Sequence, residues 1–186
     1  TQQTSWSPGN GRLLSTTDSH GNTTSYEYDS LGRCTAVVHA DGTRQQLVWS
    51  PRSNLIRETD ANGTVSVCTY DLNDRLTRRD ITMQAAGGGG ALYLEAFTYD
   101  GCDRLVGHHD DDCDGAFAYD SLGCCVSESL SGLATASTYD ALGNRLSLAY
   151  PGGRVLTYAY DASGGCTNIA GDVAVGTAIF SNPKCL

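Results

Sequence analysis

Residues 108–114 read His-His-Asp-Asp-Asp-Cys-Asp and so combine the imidazole, thiolate and carboxylate groups that bind transition metals. Consecutive residues of a strand point to alternating faces, so these side chains converge only if a special loop gathers them. We interpret the run as an acidic, solvated hairpin turn that ends at residues 112–115. The sequence therefore assigns no metal ligand and no cofactor.

Four glycines at residues 87–90 could suggest a phosphate-binding loop, but no Lys-Ser or Lys-Thr follows them and no helix comes next. Cys124 and Cys125 are adjacent, so in a strand their thiols point to opposite faces and we expect no disulfide between them. The four histidines form no Ser/His/Asp or Cys/His pattern. We assign no catalytic residue and predict that the chain is not an enzyme.

The composition excludes several classes of partner. The chain has 186 residues and a net charge of −9, and an acidic surface repels nucleic-acid phosphates. It has no apolar run of about 18 residues that could span a membrane as a helix. The first residues lack the basic and apolar regions of a signal peptide, and the chain opens with Thr1. We therefore expect a segment of a longer chain, or a processed one.

A repeat of about 21 residues organises the sequence. Tyr-Asp recurs from residues 28, 70, 99, 119, 139 and 160, and Trp-Ser at residues 6 and 49 stands in the same register. The starts lie 20 to 22 residues apart, except for one interval of 29 that holds a glycine-rich insertion at residues 84–91. Self-similarity at a fixed period is the signature of a repeat architecture. The sequence therefore predicts about eight tandem units.

Each unit carries turn and strand signals. Asp at the first position and Gly at the fourth predict a type I turn followed by a left-handed residue, as in residues 29–32, 120–123, 140–143 and 161–164. Second turns are predicted at residues 18–21, 60–63 and 112–115, with a two-residue turn at residues 41–42. The segments between turns, such as residues 64–70 and 154–160, are β-branched and aromatic with period-two alternation. We predict an all-β meander of antiparallel hairpins.

The turn geometry also fixes cross-strand partners. With a three-residue loop, the repeat aromatic faces the residue six positions on, which is Leu or Cys in most units, so Cys34, Cys125 and Cys166 stand where other units carry Leu. Asn144 looks like an extra residue, which would make Leu146 the partner of Tyr139. The aromatic series could bind sugars, and Tyr150 looks the most exposed, but sheet packing explains a recurring aromatic better.

The pattern resembles the YD repeat of the Rhs family and of the teneurins, whose signature is Tyr-Asp-x-x-Gly-Arg-Leu. It is clearest at residues 28–34, 139–146 and 18–29, and the resemblance covers roughly residues 6–170. It implies a large β-sheet that curves into a hollow shell, which in bacterial members encloses a C-terminal toxic domain; some members act in adhesion or recognise carbohydrate. The resemblance therefore also implies a longer protein that is secreted or lies at the cell surface. Asp74 and Asp103 depart from the pattern where Gly is usual, and Cys124 departs where Arg is usual.

We therefore expect a tandem array over residues 1–170, with the insertion at residues 84–91 and a tail at residues 171–186 without a recognisable domain. The expected function is a non-catalytic wall segment of a shell that encloses or presents a toxin or other polypeptide. The partners would be the rest of a longer Rhs-type chain, the enclosed domain, and glycans as a further candidate. The alternatives are a carbohydrate- or cell-surface-binding module and a degenerate remnant. The residues expected to carry the structure are Tyr28, Asp29, Gly32, Tyr70, Asp71, Tyr99, Asp100, Tyr119, Asp120, Gly123, Tyr139, Asp140, Gly143, Tyr160, Asp161 and Gly164.

Overall fold

The computed structural model describes residues 2–84 and 90–171. Most of the glycine-rich insertion, the tail after residue 171 and Cys185 lie outside these ranges. The described residues form sixteen strands, each antiparallel to its neighbour and arranged in chain order, which confirms the all-β meander. The strands are β1 Gln3–Trp6, β2 Leu13–Thr17, β3 Thr23–Tyr28, β4 Cys34–Val38, β5 Arg44–Trp49, β6 Leu55–Thr59, β7 Val65–Tyr70, β8 Leu76–Thr82, β9 Leu92–Tyr99, β10 Leu105–Asp110, β11 Asp114–Tyr119, β12 Cys125–Leu130, β13 Leu133–Tyr139, β14 Arg145–Ala149, β15 Val155–Tyr160 and β16 Cys166–Gly171.

The chain divides into two compact units, one that ends at Glu95 and one that begins at Ala96. In the first unit, β1 to β8 follow one another through short turns, and in the second, β10 to β16 do the same. Within the described ranges, no helix is long and apolar enough to cross a membrane.

Each unit is a sheet without a deep apolar core. Among the described residues, only Ala36 and Cys113 are buried apolar side chains. The two faces nevertheless differ because side chains alternate along each strand. In β5 and β15 the residues that share a face with the repeat aromatic are half-buried, whereas those between them are exposed. We call the half-buried side the aromatic face.

The turns after the repeat aromatics have the predicted geometry. The backbone N–H of Gly32 donates to the carbonyl of Asp29 over 3.0 Å, and Gly32 has a φ of +87°. The same turn forms where Gly is absent, because Asp74 and Asp103 both adopt a φ of +63°. Aspartate enters the left-handed region more readily than most residues, since its short polar side chain bonds locally. The absence of Gly in these two repeats therefore does not remove the turn.

The predicted partner of Tyr139 was wrong. Tyr139 faces Arg145, six positions on as in five other repeats, rather than Leu146. Asn144 is not an extra residue, because its backbone N–H and its side-chain amide both donate to Asp140, over 2.9 Å each. In an earlier unit Arg33 makes the equivalent two bonds to its turn aspartate. Asn144 thus occupies the arginine position of its repeat.

Two of the second turns also differ from prediction. The turn expected at residues 112–115 lies two residues earlier, at residues 110–113, because the Asp110 N–H donates to the carbonyl of Cys113 and Gly115 belongs to β11. The turn expected at residues 41–42 has four positions and begins at His39, whose carbonyl accepts the N–H of Gly42 over 3.0 Å. In the first case, the Asp-x-x-Gly spacing was mistaken for a turn although its Gly lies in a strand.

Candidate functional site

The repeat aromatics join successive hairpins through one recurring hydrogen bond. The Tyr119 hydroxyl donates to the carbonyl of Leu105 over 2.9 Å, and Leu105 is the residue expected to face the aromatic of the preceding repeat. Five further bonds of 2.7–3.0 Å follow the same rule within the two units: Tyr28 to Leu13, Trp49 Nε1 to Cys34, Tyr70 to Leu55, Tyr139 to Cys125 and Tyr160 to Arg145. We call this series the aromatic ladder.

The phenols of the ladder are suited to donate these bonds. Burial raises the pKa of the Tyr119 hydroxyl, and it does the same for Tyr70. Each remains a protonated donor across the ordinary pH range.

In two repeats, an arginine at the end of the turn connects one hairpin to the next. Arg33 Nε donates to Asp29 of its own turn over 2.7 Å, and its Nη1 donates to the carbonyl of Ser50 in the following turn over 2.7 Å. Its guanidinium also lies 5.9 Å from the centre of the Trp49 ring. Arg104 repeats the arrangement in the second unit, with Asp100 in its own turn and the Tyr119 ring 4.7 Å away. The arginine thus makes a charge-assisted bond within one turn and a cation–π contact with the next repeat.

Four repeats carry another residue at this position, namely Asn54, Cys124, Asn144 and Gly165, and one of them receives its arginine from the next turn. Cys124 occupies the arginine position, and Arg145 instead stacks on the ring of Tyr139, 5.7 Å from its centre. Arg145 Nη2 also donates to the Tyr139 hydroxyl oxygen over 3.3 Å. The cation–π contact at this aromatic therefore comes from the next turn along the chain rather than from the preceding one.

The turn aspartates are held as carboxylates. The side-chain hydrogen bond from Arg75 lowers the pKa of Asp71, and Arg104 lowers that of Asp100 in the same way. At Asp29 the backbone N–H of Arg33 is the largest cause of the lowered pKa, and the guanidinium adds to it. Asn144 and Ser163 lower the pKa of Asp140 and Asp161 through their side chains.

We expect the protein to lose stability in acid. A pKa that is lower in the folded state means that the unfolded chain binds more protons, so folding stability falls as the pH falls. The contribution of these aspartates is complete above their ordinary pKa of 3.8 and disappears as the pH drops below that value through the folded-state pKa. Urea unfolding between about pH 6 and pH 2.5 measures the effect. In Asp71→Asn the free energy of unfolding should fall less steeply as the pH decreases. An unchanged slope of this free energy against pH would contradict the role of this carboxylate.

The structure places the predicted repeat residues at the hairpin ends. Tyr28, Tyr70, Tyr119, Tyr139 and Tyr160 lie in the ladder, and Tyr99 ends β9. The aspartate that follows each tyrosine opens a turn, and Gly123, Gly143 and Gly164 have φ values of +89°, +84° and +83°. Sequence reasoning missed the carbonyl acceptors and the role of Arg33 and Arg104. The available signal was the arginine that follows the left-handed turn residue, which is Gly32 in one case and Asp103 in the other.

The other residues considered from the sequence, which are the His and Cys residues and Tyr150, form no site in the described part of the chain. His108 and His109 lie in β10, and the His109 imidazole bonds Asp114 across the hairpin over 2.5 Å. In the ranges that the structure covers, no three His, Cys, Asp or Glu side chains converge as a metal site requires. The seven cysteines described are free thiols, including Cys124 and Cys125. Tyr150 is half-buried beneath Arg154 rather than exposed.

Comparison with known proteins agrees with this repeat geometry. The family model for the RHS repeat matches residues 8–44 and 139–168. The crystal structure of TcdB2-TccC3 without its hypervariable C-terminal region has the same fold, with a TM-score of 0.71 and 16% identity over 91% of this chain and 10% of that one. The chain thus resembles the Rhs/YD-repeat family, and the two matches together support an Rhs-repeat scaffold segment.

Two further relatives of this Rhs segment are much longer proteins. The Tc holotoxin pore of Photorhabdus luminescens matches with a TM-score of 0.53 and 15% identity, over 92% of this chain and 12% of that one. Double-stranded DNA deaminase toxin A of Burkholderia cenocepacia (strain H111) is 31% identical over 127 residues, which is 62% of this chain and 9% of that protein. The Rhs segment thus spans about a tenth of the length of the relatives it matches.

Proposed function

We propose that this chain is wall material of an Rhs-type shell that encloses or presents a toxin or other polypeptide outside the cell or at its surface. The observation that carries the proposal is that the stabilising contacts run from repeat to repeat rather than into a core. Only two apolar side chains are buried among the described residues, while the aromatic ladder joins successive hairpins and Arg33 and Arg104 add bonds between turns. Such a sheet can be extended at either end by further identical units.

The relatives support the same shell-wall proposal. One relative is named as a toxin, and one solved structure of the same fold is described as lacking its hypervariable C-terminal region. The part shared with this chain is repeat scaffold, so any catalytic activity of a relative need not reside in the shared part. We therefore propose a non-catalytic role, with the enclosed or presented polypeptide and the rest of a longer chain as partners.

The carbohydrate-binding alternative rested on exposed aromatic rings. The rings of the ladder are half-buried and their polar atoms bond backbone carbonyls, and Tyr150 is covered by Arg154. These aromatics are therefore occupied in packing. The shell-wall function remains the one that the geometry supports best.

The test uses the complete gene product. We expect the reading frame on both sides to continue into further YD units, and limited proteolysis of the native protein to leave an enclosed polypeptide intact while the same polypeptide is digested after denaturation. The unfolded sample is the control for intrinsic resistance to the protease. A frame without further repeats, or equal digestion in both states, would contradict the shell-wall function.

A further inference from the structure

The repeat pattern is interrupted at two positions of the same hairpin. From the second repeat onwards, the residue two positions before the repeat aromatic is apolar or aromatic, except for Ser137. The residue that faces the aromatic is Leu or Cys in the other pairs described, whereas Tyr139 faces Arg145. Each exchange replaces an apolar side chain by a polar one. The equivalents of Ser137 are Tyr26, Leu47, Cys68, Phe97, Phe117 and Tyr158.

A cavity opens where the two exchanges meet. Its volume is about 190 Å³, and its walls include Ser137, Arg145, Glu128, Thr135 and Leu148. Ser137 faces Leu148 on the next strand, and Glu128 faces Thr135 across the preceding pair, so the polar groups come from three adjacent strands. At roughly 30 Å³ per water molecule, the cavity has room for about six waters. A phenyl or phenol ring at position 137, as in the flanking repeats, would occupy much of this space.

Two opposite charges border the cavity without neutralising each other. The Arg145 guanidinium has five N–H donors, and its described partners are the phenols of Tyr139 and Tyr158. The Glu128 carboxylate has no hydrogen-bond or ion-pair partner within the described part of the chain. The hydroxyl of Ser137 lies deeper, because that residue is only 9% exposed. The cavity lining thus offers N–H donors from β14, a carboxylate acceptor from β12 and the hydroxyl groups of Ser137 and Thr135 from β13.

We propose that this cavity binds a small zwitterion of the α-amino acid class. The ligand carboxylate pairs with Arg145, whose planar donors match a carboxylate in a bidentate manner, and the ligand ammonium pairs with Glu128. Ser137 and Thr135 supply hydroxyl groups to the same ligand. A neutral polyol would leave both charges unmatched. Because Arg145 and Glu128 are solvent-exposed, each ionic contact is weak, and we expect a dissociation constant of about 1–10 mM.

Titration of the ¹⁵N-labelled full chain with alanine tests the proposal. We expect saturable shifts of the amide signals of Ser137, Arg145 and Glu128. Acetate and methylammonium each carry one of the two charges, so each should bind at least about tenfold more weakly than alanine. Glucose is the neutral control and should shift none of these signals.

Two substitutions restore the pattern of the neighbouring repeats and serve as matched variants. Ser137→Phe fills the cavity and Arg145→Leu removes the cation, and both should fold with unchanged circular dichroism and lose alanine binding at least about tenfold. Glu128→Gln should abolish the preference for alanine over acetate. Alanine binding that persists in Ser137→Phe, acetate binding as tight as alanine binding, or saturation by glucose alone would each overturn the proposal.

Discussion

Tyr119→Ala should lower the free energy of unfolding by about 2–4 kcal/mol, one of the largest effects expected in this chain. The substitution removes the ring beneath Arg104, at 4.7 Å, and the hydrogen bond from the hydroxyl to the Leu105 carbonyl. The estimate lies below the full cost of truncating a buried aromatic residue because the ring is only half-buried. Urea unfolding followed by far-ultraviolet circular dichroism measures the change.

Two variants separate the contributions to this effect. Tyr119→Phe keeps the ring and loses the hydroxyl, so it should cost about 0.5–1.5 kcal/mol, the value of one hydrogen bond. Tyr93→Ala removes an aromatic side chain that is 44% exposed and outside the ladder, and it should cost less than Tyr119→Ala. Equal losses for Tyr119→Ala and Tyr93→Ala would show that the ladder contributes no special stability.

Gly143→Val should destabilise the protein by about 2–3 kcal/mol, because a β-branched residue at a φ of +84° is strongly strained. Gly143 is a better test position than Gly32, where a new Cβ would also collide with the guanidinium of Arg12. The nearest atom to a Cβ at position 143 is the Cys124 sulfur at 3.9 Å, so steric collision adds little. The melting temperature and urea midpoint measure the loss.

The structure supplies the control for this substitution. Asp74 and Asp103 occupy the equivalent turn position with a φ of +63°. Gly143→Asn should therefore cost less than about 1 kcal/mol, since Asn tolerates the left-handed region. If the Val and Asn variants lost equal stability, backbone strain would not be the cause.

The sequence could predict local geometry because the turns are local. Asp29 and Gly32 determine a hairpin whose register follows from loop length, and the pairing of Tyr28 with Cys34 was predicted correctly. The errors came from counting motifs without counting their positions, as when Asn144 was considered extra although it fills the arginine site.

The contacts between repeats could not be predicted in the same way. The bond from Tyr119 to Leu105 spans 14 residues, and the bond from Arg33 to Ser50 spans 17. Both depend on the twist and spacing of three consecutive strands, which no short motif specifies. The cavity at Ser137 was missed for another reason: the serine is unremarkable alone and becomes informative only when it is aligned with the same position of the other repeats.

The acceptors of the aromatic ladder are main-chain carbonyls, and every residue type has one. The acceptor position is Leu at residue 55, Cys at residue 34 and Arg at residue 145, and the bond forms in each case. A duplicated hairpin therefore needs no matching side chain in its new neighbour in order to dock. Unequal recombination between such units can lengthen, shorten or reorder the array, and the joined product still contains a donor and an acceptor at each junction.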